Sequence, residues 1–185
     1  PYATRGNVRG LAVRPEHNTL TFIDQLGDAE TARLYEVPLS GGEATELFAF
    51  DTSISSYDWS PDGSRLAFYA ADPEAEEPES DLPYQPEIYE EGLTFSYGNI
   101  ADVAGGTTTR IDSDRNVSGV TWSPDGSKLA ILTAPTPRVD DFYMKRQIDI
   151  VDASSGNVTS TVEHDGKFGP LAFSPNGAHL AFVAG

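Results

Sequence analysis

Serine, histidine and aspartate are the residues that could carry hydrolytic chemistry here, since cysteine is absent from all 185 positions. A serine nucleophile on a strand-to-helix elbow needs Gly two positions before and two after it, so that the backbone can turn tightly. No serine has that pattern. The nearest approach, Thr94-Phe95-Ser96-Tyr97-Gly98, lacks the first Gly and precedes a strand, so it reads as structural. The three histidines are scattered. His17 sits in a turn, His179 shares an exposed strand-start slot with Arg65 and Lys128, and His164 lies in the connection Glu163-His164-Asp165-Gly166. No pair of them has metal-ligand spacing, and no Gly-rich phosphate loop occurs. The reading is that this stretch has no catalytic, cofactor-binding or metal-ligating set of its own, and no cofactor is implied.

Acidic residues are the remaining chemical signal. Asp62 and Asp125 lie in Ser-Pro-Asp-Gly turns, where a carboxylate could meet Ca²⁺. Hydrogen bonding to the turn backbone explains them better, because the third copy of the turn carries Asn176, which keeps the hydrogen bond and loses the charge. From Asp72 to Glu91 there are nine acids and no base, and no Lys or Arg lies between Arg65 and Arg110. Pro73, Pro78, Pro83 and Pro86 keep this run out of a sheet. It reads as a solvated loop inserted over 71–96, expected to be disordered over 74–81 and ordered over 82–96. The segment from Arg138 to Arg146 is expected to be an extended hairpin loop.

Composition narrows the partners. Twelve basic against 29 acidic residues give a net charge of −17. That argues against nucleic acid, whose phosphates require clustered Lys and Arg, and against anionic lipid. No apolar run approaches the ~18 residues of a membrane span. Apolar residues at 38% suffice for a packed core. Cytoplasm and periplasm remain equally open. The chain starts at Pro1 with no initiator Met or signal peptide, so it is read as a piece of a longer protein.

The elements that must position everything are announced by a repeat. Residues 57–70 read YDWSPDGSRLAFYA, 120–133 read VTWSPDGSKLAILT and 171–184 read LAFSPNGAHLAFVA; a degenerate copy, LAVRPEHNTLTF, occupies 11–22. The anchors Val13, Trp59, Trp122 and Phe173 are 46, 63 and 51 residues apart. In each copy a strand ends on a large apolar residue. Pro61, Pro124 and Pro175 preset φ for the first turn position; Asp62, Asp125 and Asn176 suit the second. Gly63, Gly126 and Gly177 can then adopt the positive φ that closes a three-residue hairpin. The returning strand reads Leu-Ala-Phe or Leu-Ala-Ile, apolar on both faces, as suits a small sheet held between two others. Second hairpins turn at Ser40-Gly41-Gly42, Ala104-Gly105-Gly106 and Ser154-Ser155-Gly156. Two hairpins in series make a four-stranded propeller blade. The expectation is an all-β fold, a partial β-propeller of about three and a half four-stranded antiparallel blades. The blades run over about 8–48, 54–111, 117–162 and 168–184, the last incomplete. The incomplete blade leaves strand edges open, through which two copies are expected to pair.

The triplet W/F-S-P-[DN]-G-x-x-L-A-[FI] resembles the WD40-like, or PD40, repeat of the TolB propeller and of the propellers of prolyl oligopeptidase (S9) family serine peptidases. The stretch Leu132-Thr133-Ala134-Pro135-Thr136-Pro137-Arg138-Val139-Asp140-Asp141, followed by Ile148-Asp149-Ile150-Val151-Asp152, looks like the corresponding blade of acylaminoacyl- and dipeptidyl-peptidase-like S9 enzymes. The interruption at 71–96 also suits S9 propellers, whereas TolB blades are more uniform. The S9 resemblance implies a non-catalytic propeller that gates peptide access to a hydrolase domain carrying a Ser-Asp-His triad, located beyond Gly185. Its partners would be that domain and a peptide substrate. The alternative is a TolB-like periplasmic protein-interaction propeller.

Overall fold

A computed structural model describes residues 7–73, 92–164 and 166–185. The disorder expected over 74–81, and the order expected over 82–96 as far as residue 91, therefore lie outside the described residues. Four antiparallel sheets follow one another along the chain, each a simple meander. The first holds β1 (Arg9–Val13), β2 (Thr19–Asp24), β3 (Arg33–Pro38) and β4 (Thr45–Phe48). The second holds β5 (Ile54–Trp59), β6 (Arg65–Ala71), β7 (Ser96–Asp102) and β8 (Thr107–Arg110). The third comprises β9 (Asn116–Trp122), β10 (Lys128–Ala134), β11 (Gln147–Asp152) and β12 (Val158–Glu163), and β13 (Phe168–Phe173) pairs with β14 (Leu180–Ala184) in a two-stranded fourth. This is a partial β-propeller.

The returning strands show why. In β6, Leu66 and Phe68 face the first sheet and join a buried cluster with Ile23, Leu34, Ile54 and Trp59. Ala67, one position away and therefore on the opposite face, belongs to the next cluster with Val117, Trp122, Leu129 and Ile131 of the third sheet. The step repeats once more: Ala130 and Ile148 of the third sheet receive Phe168, with Leu171, Phe173 and Phe182 of the fourth packed alongside. The second and third joints thus set the large-residue face of one sheet on the Ala-bearing face of the sheet before it, whereas at the first joint Leu66 and Phe68 meet Ile23 and Leu34. Burying each Leu or Phe in these joints stabilises by about 1.5–3 kcal/mol.

The Arg138–Arg146 connection departs from the expected extended loop. It contains a six-residue helix, α1 (Val139–Met144). Asp140 and Asp141 occupy its first turn, where carboxylates favour helix formation. Asp141 also accepts a hydrogen bond from the Thr136 hydroxyl (2.6 Å) and pairs with Lys145 one turn on (2.8 Å). At the other long connection, Asp72 N–H bonds Phe95 O (2.9 Å) and Phe95 stacks on Tyr97, so the insertion leaves and rejoins the sheet at one point.

Candidate functional site

The repeated turns carry the residues singled out above, and the sheets bring them into a row. Gly63, Gly126 and Gly177 have φ of 66°, 69° and 68°, the left-handed region that admits Gly without strain. At Gly63 space is a second constraint, because a Cβ there would lie 2.2 Å from the carbonyl oxygen of Pro15 in the preceding turn. The turn of one sheet therefore rests on that of the next, Pro15 against Gly63, Pro61 against Gly126 and Pro124 against Gly177.

Within each turn the side chains are committed to the backbone. Asp62 Oδ1 accepts from the Ser60 hydroxyl (2.6 Å), Ser64 N–H (3.1 Å) and the Ser64 hydroxyl (2.9 Å), while Ser60 Oγ accepts from Arg65 N–H (2.9 Å). Asp125 does the same with Ser123 and Ser127. Asn176 Oδ1 reproduces the pattern without charge, accepting from Ser174 Oγ (2.7 Å) and Ala178 N–H (3.1 Å). These bonds hold the Asp62 and Asp125 carboxyls down to about 2, the serine hydroxyl before each Asp contributing most. Asp152, at the Ser154-Ser155-Gly156 turn, is lowered to about 2 in the same way, first by the Ser154 hydroxyl.

A folded-state pKa below that of the unfolded chain gives stability that is fully present above the unfolded value and lost as pH falls through the folded one. For these three carboxyls that window runs from about pH 4 down to about 2. The urea midpoint of the chain is expected to fall steadily across it. In Asp62→Asn/Asp125→Asn the decline should be shallower, because Asn keeps the acceptor and does not titrate. An unchanged slope in that variant would assign the acid sensitivity to other groups.

Two guanidinium groups reach from one turn to the next, and sequence reasoning missed both. Arg14 is buried; its Nε–H donates to Gly63 O (2.8 Å) and its guanidinium stacks 4.7 Å over the Trp59 ring. Arg65, read from the sequence as an exposed strand-start residue, is only partly exposed. It donates to Gly126 O (2.7 Å) and Ala153 O (2.9 Å) and lies 4.7 Å over Trp122. The correction has a physical cause: the long side chain lies along the neighbouring sheet and leaves only part of itself in water. Arg14 occupies the slot of Ser60, so two different sequence positions deliver the same contact.

The indoles are tied from below as well. Trp59 Nε1–H donates to Thr21 Oγ1 (2.9 Å), which also contacts the Tyr57 hydroxyl (2.8 Å) and itself donates to Ala12 O (3.1 Å). Burial pushes the Tyr57 phenol up to about 12, tempered by the Thr21 bond. At the next joint Asp58 Oδ2 accepts Trp122 N–H (2.8 Å), and Asp58 O accepts Trp122 Nε1–H (3.1 Å). Burial raises the Asp58 carboxyl, and the Trp122 and Trp59 N–H groups partly offset this.

The other sequence candidates lie apart from one another. His17 Nδ1 is 2.8 Å from Pro15 O, His164 packs edge-on against Phe168 and Phe182, and His179 is exposed. Ser96 opens β7, with its N–H bonded to Asn116 Oδ1 (2.9 Å). At the end of the sheets opposite the Ser-Pro-Asp-Gly turns, a groove of about 220 Å³ runs along Tyr97 and Arg110, whose guanidinium stacks 3.4 Å from the ring; no histidine lines it. Among the described residues no three His, Asp or Glu side chains are grouped to hold a metal ion, and no helix is long and apolar enough to cross a membrane. What this arrangement can do is hold sheets in register and present their rims.

No family model matches the chain. It is 30% identical over 186 aligned residues to a protein of Bacillus subtilis (strain 168) described as "Uncharacterized peptidase YuxL". The match covers 98% of this chain, and the chain spans 22% of the length of that relative.

Proposed function

We propose that this chain is the non-catalytic propeller segment of an S9-type serine peptidase, gating peptide access to a hydrolase domain that lies outside it. The observation that carries the reading is the similarity to a peptidase along nearly the whole chain, in a stretch whose described Ser and His residues lie in turns, strands and connections. The stacked sheets supply a rigid frame, and frames of this kind discriminate by size. A peptide threads past them, while a folded protein is held off.

The test is a comparison of two proteins, this chain alone and the full-length product of its gene, with an active-site-directed fluorophosphonate and with peptide and folded-protein substrates. The full-length protein is expected to be labelled, to cleave short peptides and to spare folded proteins. The chain alone should show neither labelling nor turnover. A full-length protein that takes up no label would overturn the peptidase reading in favour of a protein-interaction propeller.

A further inference from the structure

The three joints between successive sheets are not equivalent. The first is closed by Arg14 on Gly63 O and Trp59, by Trp59 on Thr21, and by Arg9 Nη2 on Ile54 O (3.0 Å). The second is closed by Arg65 on Gly126 O, Ala153 O and Trp122, by both Trp122 N–H groups on Asp58, and by Ser96 N–H on Asn116. Each joint therefore combines an apolar seam with charged and neutral hydrogen bonds to backbone groups.

At the third joint three slots of this latch are changed. Lys128 stands where Arg65 does, exposed, and its ammonium makes no hydrogen bond or ion pair among the described residues. Phe173 replaces the tryptophan, so no indole N–H exists to be tied. Thr121 takes the place of Asp58. What remains is the apolar cluster around Phe168, a bond from the Arg146 guanidinium to Phe168 O and the Lys167 ammonium 5.1 Å over the Tyr143 ring, while Arg146 Nε is buried without a partner. Lysine cannot substitute here, because a point charge lacks the planar fork that stacks on a ring and donates to two carbonyls at once.

We infer that the joint between the third and fourth sheets is the seam at which this stack opens first, and that a peptide enters there. The second clause rests on the peptidase reading; the first does not. An apolar seam with few directional bonds parts with the loss of one guanidinium–carbonyl bond, that of Arg146 to Phe168 O, whereas parting the second joint strands Gly126 O, Ala153 O and Asp58.

Native-state hydrogen exchange on this 185-residue chain tests the seam. The amides of β13 and β14 are expected to show at least tenfold less protection than those of β9 to β12. The variant Lys128→Arg/Phe173→Trp rebuilds the latch and is expected to raise β13–β14 protection about five- to tenfold, leaving β1–β4 unchanged. Because it compares two chains that differ only at these two positions, this difference reports the latch. Equal protection across the third and fourth sheets of the wild type, or a change below twofold on rebuilding the latch, would overturn the seam. Should the double variant fail to fold, the single variant Lys128→Arg against the wild type decides. In the full-length protein the same variant should slow peptide cleavage while sparing a small ester. Equal rates with raised protection would overturn peptide entry at this joint and leave the seam standing, and an unlabelled full-length protein would overturn only the peptidase reading.

Discussion

Replacing Trp122 with alanine is expected to lower the unfolding free energy of the chain by about 3–5 kcal/mol and its melting temperature by on the order of 10 °C. The ring is only 6% exposed and sits in the cluster formed by Ala67, Val117, Leu129 and Ile131, so its removal opens a cavity at the second joint. It also strands the Arg65 guanidinium above empty space and frees Asp58 O from its indole partner. The Trp122→Phe variant separates these contributions. It keeps an aromatic ring, as the fourth sheet does with Phe173, and loses the indole bond and part of the cation–π attraction. Its expected cost is about 1–2 kcal/mol. Denaturant titration of the three proteins checks both values. A Trp122→Phe cost equal to that of alanine would mean that polar ties, not packing, hold this joint.

The second large effect is expected at Phe68. This side chain is fully buried, edge-on to Phe48 at 5.3 Å and Phe50 at 5.0 Å between ring centres, with Ile23, Leu34 and Ile54 around it. Phe68→Ala should cost about 3–5 kcal/mol, the transfer of a large ring plus the cavity it leaves. The neighbouring position makes the opposite error measurable. Ala67 is also fully buried but faces the third sheet, where Ile131 and Trp122 leave it no room. Ala67→Leu should therefore destabilise by about 1–3 kcal/mol through overpacking. A neutral Ala67→Leu would show that the Ala-bearing face is slack and that the alternation of large and small residues does not set the spacing of the sheets.

Much of the fold was legible in the residues because its signals are local. Ser-Pro-Asp-Gly sets a turn through the φ of Pro61, the acceptor of Asp62 and the positive φ of Gly63, all within four residues. A Leu-Ala-Phe strand declares two buried faces by its own alternation. Those cues placed the Trp-ending strands and the returning Leu-Ala-Phe and Leu-Ala-Ile strands where β5, β6, β9 and β10 lie, and the antiparallel sheets with them. The short helix at Val139–Met144 was not legible. Its prolines and mixed charges suit a loop, and it forms because Asp141 finds Thr136 and Lys145 at once.

The inter-sheet latch was illegible for a deeper reason. Arg14 and Arg65 occupy different slots of the repeat, and an exposed-looking Arg in sequence is indistinguishable from one that reaches a carbonyl 49 or 61 residues away. Composition and turn chemistry by themselves determined that the chain is all-β, built from repeated hairpins, acidic and without thiol chemistry, since each of these depends on residue type or on neighbours a few bonds apart. Which sheet packs on which, which guanidinium closes a joint and which joint is left with only apolar contact were decided by the tertiary structure alone, because those energies arise between groups that the chain brings together only once it has folded.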